Sequence, residues 1–442
     1  MSERLIVFTR YPEPHKSKTR LIPALGAVGA AVLGREMTRH TLRRARELAD
    51  ERPVSIEVRF EGGDEALAEQ CFGPATCYRA QRGGDLGARM NDAFDSAFRA
   101  AAGRAVIVGT DCPGVTAPVV REAFDRLEHH DLVLGPATDG GYYLIGLRGP
   151  APRLFRGISW GSETVLEETL RAAAEMELST SLLAPLDDVD RPEDLNVWRR
   201  ARDQFRHDLA DARISVVIPT LNEEAFLGQT LRCLREAARD AMETIVVDGG
   251  SRDRTLEIAR DHDCRTLTTA PGRAWQMNAG AAEATGSILL FLHADTQLPK
   301  DFPEHVRRTL ARANASAGAF AMRIDAPEWP FRVVERMINF RSRCFRMPYG
   351  DQAIFLPADT FYLEGGFPEL PILEDFELMR RLRRRGRVAI VPKPVVTSAR
   401  RWRALGLWRT TWINQRVVLG YYLGVPPKRL ARWYRCGDRG RR

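Results

Sequence analysis

Two aspartates stand in matching places along the chain: Asp111 in Gly109-Thr110-Asp111, and Asp295 in His293-Ala294-Asp295, each directly after an apolar run of strand type. A carboxylate beyond the C-terminal end of a parallel strand sits in the crevice where open α/β sheets bind ligands. Either one alone reads as a turn or helix-capping residue. Two of them, in two similar patterns, point to a duplicated nucleotide-binding architecture. Around Asp111 the chain adds a basic stretch with Lys18 and Arg20, the pair Gly140-Gly141, and Asp190. By the same logic Asp111 and Asp190 are expected to converge on one divalent cation while Lys18 and Arg20 neutralise phosphates, and the glycine pair lets backbone approach a ligand. Asp190, two residues before Pro192, also reads as a helix cap. Around Asp295 the chain adds the pair Glu374-Asp375 at the start of an arginine-rich helical stretch. Like charge and partial burial would raise the pKa of such a pair towards a value useful in proton transfer.

These residues need sheets to hold them. Short β-branched runs alternate with helical periodicity throughout, which argues for parallel α/β sheets. Strands are expected at 5–9, 54–60, 105–109, 131–134 and 142–147, with helices such as 30–49 and 88–101 between them. The pattern restarts with Ile214-Ser215-Val216-Val217-Ile218-Pro219 and continues in strands at 243–247, 287–292, 318–324 and 388–391. The expected fold class is therefore α/β, in two tandem domains with mostly parallel mixed sheets. The first spans 1–205; the second spans 213–442 and ends in a basic, aromatic helical tail.

At 442 residues the chain exceeds one ordinary core. With 44% hydrophobic and 28% charged residues it has globular composition. A formal net charge of +8 suits anionic partners: nucleotide diphosphates, acidic lipid surfaces or nucleic acid. Seven scattered cysteines without a C-x-x-C pair read as reduced thiols in a cytosol. The opening Leu5-Ile6-Val7-Phe8 reads as a first strand rather than a signal peptide, and no continuous apolar run reaches the ~18 residues of a spanning helix. The expected location is the cytoplasm, with any membrane contact peripheral, at the inner face.

Val216-Val217-Ile218-Pro219-Thr220-Leu221-Asn222-Glu223-Glu224 and Ile245-Val246-Val247-Asp248-Gly249-Gly250-Ser251 open an ordered series. It runs on through Gly272-Arg273-Ala274-Trp275-Gln276-Met277-Asn278, His293-Ala294-Asp295, Gly350-Asp351-Gln352 and Leu373-Glu374-Asp375. The series, covering about 213–400, resembles glycosyltransferase family 2. The resemblance implies a GT-A-like fold and transfer of a sugar, with inversion, from a nucleotide-diphosphate donor, a UDP-sugar first, to a hydroxyl acceptor. It implies Asp375 as general base beside Glu374, and a donor site that includes Pro219, Asn222, Glu223, Asp248, Ser251, Arg273, Asn278 and Gln352. Glu223 and Asp248 match positions that contact uracil and ribose, and Arg273 suits the diphosphate, where a guanidinium binds two oxygens at once. The family's metal motif is usually Asp-x-Asp, holding Mg²⁺ or Mn²⁺; here it reads His293-Ala294-Asp295. Asp295 keeps the metal role, while His293 faces ribose or phosphate, or adds a nitrogen ligand that favours Mn²⁺.

In the first half, Lys16-Ser17-Lys18-Thr19-Arg20, Gln81-Arg82-Gly83-Gly84-Asp85, Gly109-Thr110-Asp111-Cys112-Pro113, Asp139-Gly140-Gly141-Tyr142-Tyr143 and Asp188-Val189-Asp190 form a second ordered set. It resembles the transferase 1 family of radical-SAM/selenodomain gene neighbourhoods, again a GT-A-like fold. The second half is similar to the companion transferase 2 branch, and both groups carry the arsenosugar-biosynthesis glycosyltransferase label.

Rival readings stay open. The first domain is a candidate nucleotidyltransferase. A non-enzymatic binder of nucleotide or nucleic acid would suit the arginine runs, yet it explains neither Asp295 nor Asp375, and no specific nucleic-acid partner is expected. The acceptor is a small metabolite or a lipid. Arg400-Arg401-Trp402-Arg403, with Trp408, Arg409, Trp412 and Arg416, would hold the donor diphosphate, seat the protein on an anionic membrane, or pack as a helical hairpin.

Overall fold

The computed structural model describes residues 2–237 and 242–436. The chain divides into two compact units, Met1–Phe205 and Arg206–Arg442.

The first unit is built on seven strands: β1 (Ser2–Arg10), β2 (Val54–Glu61), β3 (Cys77–Ala80), β4 (Ala102–Gly109), β5 (Leu132–Pro136), β6 (Tyr142–Leu147) and β7 (Thr180–Leu182). Their order is β3-β2-β1-β4-β6-β5-β7, with only β6 antiparallel to its neighbours. Alternate residues serve opposite faces. Leu5, Val7, Val58, Val106 and Val108 face one core, which Leu42, Ala45 and Leu48 of the helix Ile22–Glu51 cover. Ile6, Phe8, Ile107 and Ile145 face the other, covered by Met90, Ala93 and Phe94.

The helix at Thr19–Glu51 has an 18-residue window whose length and composition would suit a membrane span, which the reading of continuous apolar runs does not reveal. Most of that window, 61%, is buried within the fold, as the core face of an amphipathic helix is.

The second unit repeats the plan. Its strands are β8 (Ile214–Thr220), β9 (Met242–Asp248), β10 (Arg265–Thr268), β11 (Ile288–Phe291), β12 (Thr296–Gln297), β13 (Ala315–Asp325), β14 (Ile354–Pro357) and β15 (Arg387–Ser398). They lie in the order β10-β9-β8-β11-β14-β13-β15-β12. In both sheets the first four strands run 3-2-1-4 in parallel, and an antiparallel strand, β6 or β14, closes against the fourth. Both are mixed, parallel-dominated α/β sheets, as expected of the fold class.

Strand β14 was not among the expected strands; four apolar residues carry no periodicity to read. All four are buried, and Phe355 crosses Gly318 of β13 so closely that a Cβ there would lie 2.3 Å from its ring. Being antiparallel, β14 starts at the edge where β8, β9 and β11 end, and so delivers the Gly350–Gln352 turn to that edge.

Candidate functional site

At the C-terminal edge of the second sheet the parallel strands hand over to loops that carry most of the expected site residues. Asp248, the last residue of β9, is fully buried. Its Oδ2 accepts the N–H groups of Gly250 and Ser251, both at 2.8 Å, and its Oδ1 accepts the hydroxyls of Ser251 and Thr220, at 2.5 and 3.2 Å. Ser251 in turn accepts the N–H of Asn222, whose φ of 56° is left-handed, and Asn222 Oδ1 accepts the N–H of Arg252. Asp248, Ser251 and Asn222 thus fasten the loops after β8 and β9 together beside Pro219. Any effect of the Asp248 carboxylate on a donor passes through the loop it holds.

Two further expected donor residues also prove to be fasteners. Asn278 bonds both ways to the backbone of Phe367, at 2.8 and 3.0 Å. Gln352 is wholly buried, donating to Phe320 O and accepting from Ser342 Oγ at 2.7 Å. Their amides satisfy backbone and core groups that would be costly to leave unpaired. In this structure both side chains brace the wall of the site.

The reactive cluster lies around Gly350. Its N–H donates to Asp375 Oδ2 at 2.6 Å, and the other carboxylate oxygen, Oδ1, accepts the N–H of Phe376 at 2.7 Å. A Cβ on Gly350 would sit 3.0 Å from His293 Nε2 and 3.3 Å from Asp375 Oδ2, so backbone here fills the space between base and imidazole. Glu374 and Asp375 begin the helix Glu374–Arg385, where the positive end of the dipole meets two carboxylates and the last turn carries Arg383, Arg384 and Arg385. Burial first, and the Asp375 charge second, push the Glu374 carboxyl up to about 7, against the pull of Arg273. Burial, with the nearby cations Arg273 and Arg400, pushes His293 down to about 3, so the ring is a neutral imidazole.

Asp351 was not read as a site residue, although it lies inside a motif visible in the sequence. Burial raises its carboxyl to about 6, with Asp375 and Asp295 adding to the rise and Arg341 and Arg273 opposing it. Its Oδ1 is buried and has no hydrogen-bond partner. A buried acceptor left open in a ring of carboxylates asks for a proton, a donor or a cation. No sequence signal separates this aspartate from an ordinary turn residue; only its burial does.

Arg273 opens the helix Arg273–Glu283 and is exposed, with no hydrogen bond or ion pair among the described residues. It is the free guanidinium of the cluster. Arg400 is the engaged one: both terminal nitrogens grip Glu223, while Nε lies 3.1 Å from Asp295 Oδ2. Glu223 and Asp295, distant in sequence, are thus brought together on one cation. Oxygen donors of this kind suit a hard divalent ion, and the open oxygen of Asp351 beside Asp295 fits such a group. No three acidic, histidine or cysteine ligand atoms of this cluster come within 4.8 Å of one another among the described residues, so the set is an open one.

In the first unit the four expected polar residues pair off. Lys18, left-handed at φ 48°, donates to Val189 O at 2.6 Å and meets Asp111 Oδ1 at 2.7 Å. Arg20 is paired with Asp190. Asp111 and Asp190 are thus each paired with a base. The Pro192–Asp194 turn has Arg191 at its N-cap, and the Asp194 carboxylate at its third position reaches back to accept the N–H groups of Asp190 and Arg191, so Asp190 stands one residue before the cap. The glycine pair also serves the fold: a Cβ on Gly140, at φ 90°, would lie 2.1 Å from Glu163 O. The close approach it permits is to its own chain. Asp188, raised by burial and by Asp139, and the buried Cys112 thiol lie near these groups.

Comparison with known proteins bears on both units. Residues 42–162 match the family described as an uncharacterized protein conserved in bacteria (DUF2064), and residues 215–367 match glycosyl transferase family 2. The chain is 27% identical over 242 residues to a Bacillus subtilis protein named as a glycosyltransferase, YdaM, covering 47% of this chain and 57% of that one. It is 37% identical over 154 residues to the undecaprenyl-phosphate 4-deoxy-4-formamido-L-arabinose transferase of Pseudomonas paraeruginosa, covering 31% and 44%. The chain spans about half the length of these relatives. A crystal structure from Desulfovibrio desulfuricans G20, named as a nucleotide-diphospho-sugar transferase, is 35% identical, with 46% of this chain and 88% of that one covered and a TM-score of 0.42. The protein thus joins a DUF2064 domain to a glycosyltransferase family 2 domain.

Proposed function

We propose that the second unit transfers a sugar from a nucleotide-diphosphate donor to a hydroxyl acceptor, with inversion at the anomeric carbon. The observation that carries this reading is the Asp375 carboxylate, fixed by the N–H groups of Gly350 and Phe376 at the mouth of a sheet whose other loops hold Arg273 and Asp295. Inverting transfer needs a base opposite the leaving group and positive charge on the departing diphosphate. Asp375 takes the acceptor proton. Its Gly350 hydrogen bond orients one oxygen, and Glu374 stands beside it at the start of the same helix. Arg273 binds the diphosphate, and the neutral His293 ring accepts or donates one hydrogen bond to ribose or phosphate.

Asp295 and Asp351 are the residues that would hold Mg²⁺ or Mn²⁺, with Glu223 near; the ion supplies charge to stabilise the leaving diphosphate. A UDP-sugar is the first donor to try. The order of the two domains supports the radical-SAM/selenodomain-associated type, labelled as arsenosugar-biosynthesis glycosyltransferase. We place the chain in the cytoplasm, at the inner face of the membrane.

The test is a screen of nucleotide sugars for metal-dependent donor hydrolysis and transfer, with Asp375→Asn alongside. The substitution should leave donor affinity within about threefold and lower turnover by about two to four decades, the usual worth of a general base. Unchanged turnover on a good acceptor removes the assignment.

A second reading concerns the first unit, where Lys18 and Arg20 lie against Asp111 and Asp190. Paired charges at a strand end support a nucleotide site there, and nucleotidyl transfer is its candidate chemistry.

A further inference from the structure

Two helices of the second unit, Trp329–Phe345 and Leu407–Tyr422, pack against one another. Each leaves a line of large apolar side chains in solvent. Met337 and Phe340 are 49% and 63% exposed on the first; on the second, Trp408, Trp412, Leu419 and Tyr422 are 59–65% exposed. Spacings of three, four and seven put each line on one helical face. The opposite face of the second helix, Thr410, Ile413, Val417 and Gly420, is already buried in the fold. A helix apolar on both sides normally has both covered. Exposed patches of this kind mark a contact with a partner or a lipid surface.

Charge decides between the partners. From 400 to 432 the chain carries eight arginines and lysines and no acidic residue. Arg409, Lys428 and Arg429 are exposed, and the Arg416 guanidinium lies 5.3 Å from the Trp412 ring centre. A second copy of the same face would bring like charges together. An anionic bilayer instead takes the aromatic rings at its headgroup level and the basic side chains at its phosphates.

The face also leads to the reactive cluster. The ring of Tyr422 meets that of Phe376 edge to face at 5.7 Å, and Phe376 donates its N–H to Asp375.

We propose that this face seats the protein on an anionic membrane, and that the acceptor is an amphiphile whose polar head reaches Asp375 from the bilayer. The second clause rests on the sugar-transfer reading; the first rests on the exposed face alone. The test is sedimentation of the full-length protein with phosphatidylglycerol and with phosphatidylcholine vesicles, without donor. The protein should pellet with the anionic vesicles at low salt and be released as salt rises. The Trp408→Ser/Trp412→Ser double variant should lose about tenfold or more in affinity, as should Phe340→Ser on the neighbouring helix, each keeping the wild-type circular dichroism spectrum. A protein that stays in the supernatant with both vesicles overturns the proposal. So do folded variants that bind like wild type, or a wild-type dimer that the double variant loses. A protein that pellets but transfers no sugar in the nucleotide-sugar screen overturns the transfer reading and leaves the membrane face standing.

Discussion

Both terminal nitrogens of Arg400 donate to the Glu223 carboxylate, at 2.7 and 2.6 Å, across 177 residues of sequence. The same guanidinium reaches Asp295 through Nε. One cation therefore neutralises the two carboxylates that we assign to a divalent ion and to the donor, and under that proposal the binding of either competes with it.

It follows that Arg400→Ala should tighten Mn²⁺ binding in the absence of nucleotide, by several-fold, because two carboxylates lose their resident counter-charge. Calorimetric titration of wild type and variant with Mn²⁺ alone checks this. Equal or weaker affinity in the variant would show that Arg400 supports the cation site rather than standing in its place.

Gly350 makes a second prediction, from space alone. Its alanine variant would put a methyl group 3.0 Å from His293 Nε2 and 3.3 Å from Asp375 Oδ2. Contacts that tight displace one neighbour by a few tenths of an ångström, and positioning errors of about 1 Å can cost on the order of a hundredfold in rate. Gly350→Ala should therefore lose one to two decades of turnover, about 10- to 100-fold, with little change in melting temperature. A variant with wild-type kcat would show that the space between His293 and Asp375 does not set the base.

What could be read from the sequence divides along physical lines. The long strands β1, β4, β8 and β9 are legible because β-branched runs between helical stretches leave few alternatives. Strand β14, only Ile354–Pro357, is not, since a four-residue apolar run has no period. Asp375, Asp295 and Arg273 stand in ordered motifs, and the structure brings them to one edge. Asn278 and Gln352 stand in the same motifs and brace backbone and core groups, because residue types and spacing do not say which side chains hold a loop and which use it. The Arg400 bridge and the open oxygen of Asp351 are tertiary facts. The first needs a chain that folds back on itself, and the second needs burial, which no spacing reports.

In the first unit, Lys18 is almost fully buried and its ammonium is shared between Asp111 and Val189 O. Asp111 itself is largely exposed. If this strand end binds a nucleotide, Lys18→Ala should abolish any Mg²⁺-nucleotide-induced rise in melting temperature. Asp125→Asn, on the surface of the same unit, should keep it. A wild-type protein that shows no nucleotide-induced shift with any divalent cation would count against a live site.

The last prediction follows from Glu374, whose carboxyl is held near 7 by burial and by Asp375. Unfolded, it would titrate near the ordinary 4.5. Between those values the folded state binds the proton that the unfolded state has released, so stability falls as pH rises through this window. The contribution is complete below about 4.5 and gone above about 7. Glu374→Gln cannot ionise and should escape the penalty. The melting temperature of the variant, measured against wild type from pH 5 to pH 8 (the window set by linkage, about three units wide), should gain on wild type as pH increases and level off once Glu374 is fully charged. A difference that is flat across the range, or that shrinks with rising pH, would mean that Glu374 is charged throughout. The Glu374 carboxylate would then stand beside the base with its charge at every pH in that range.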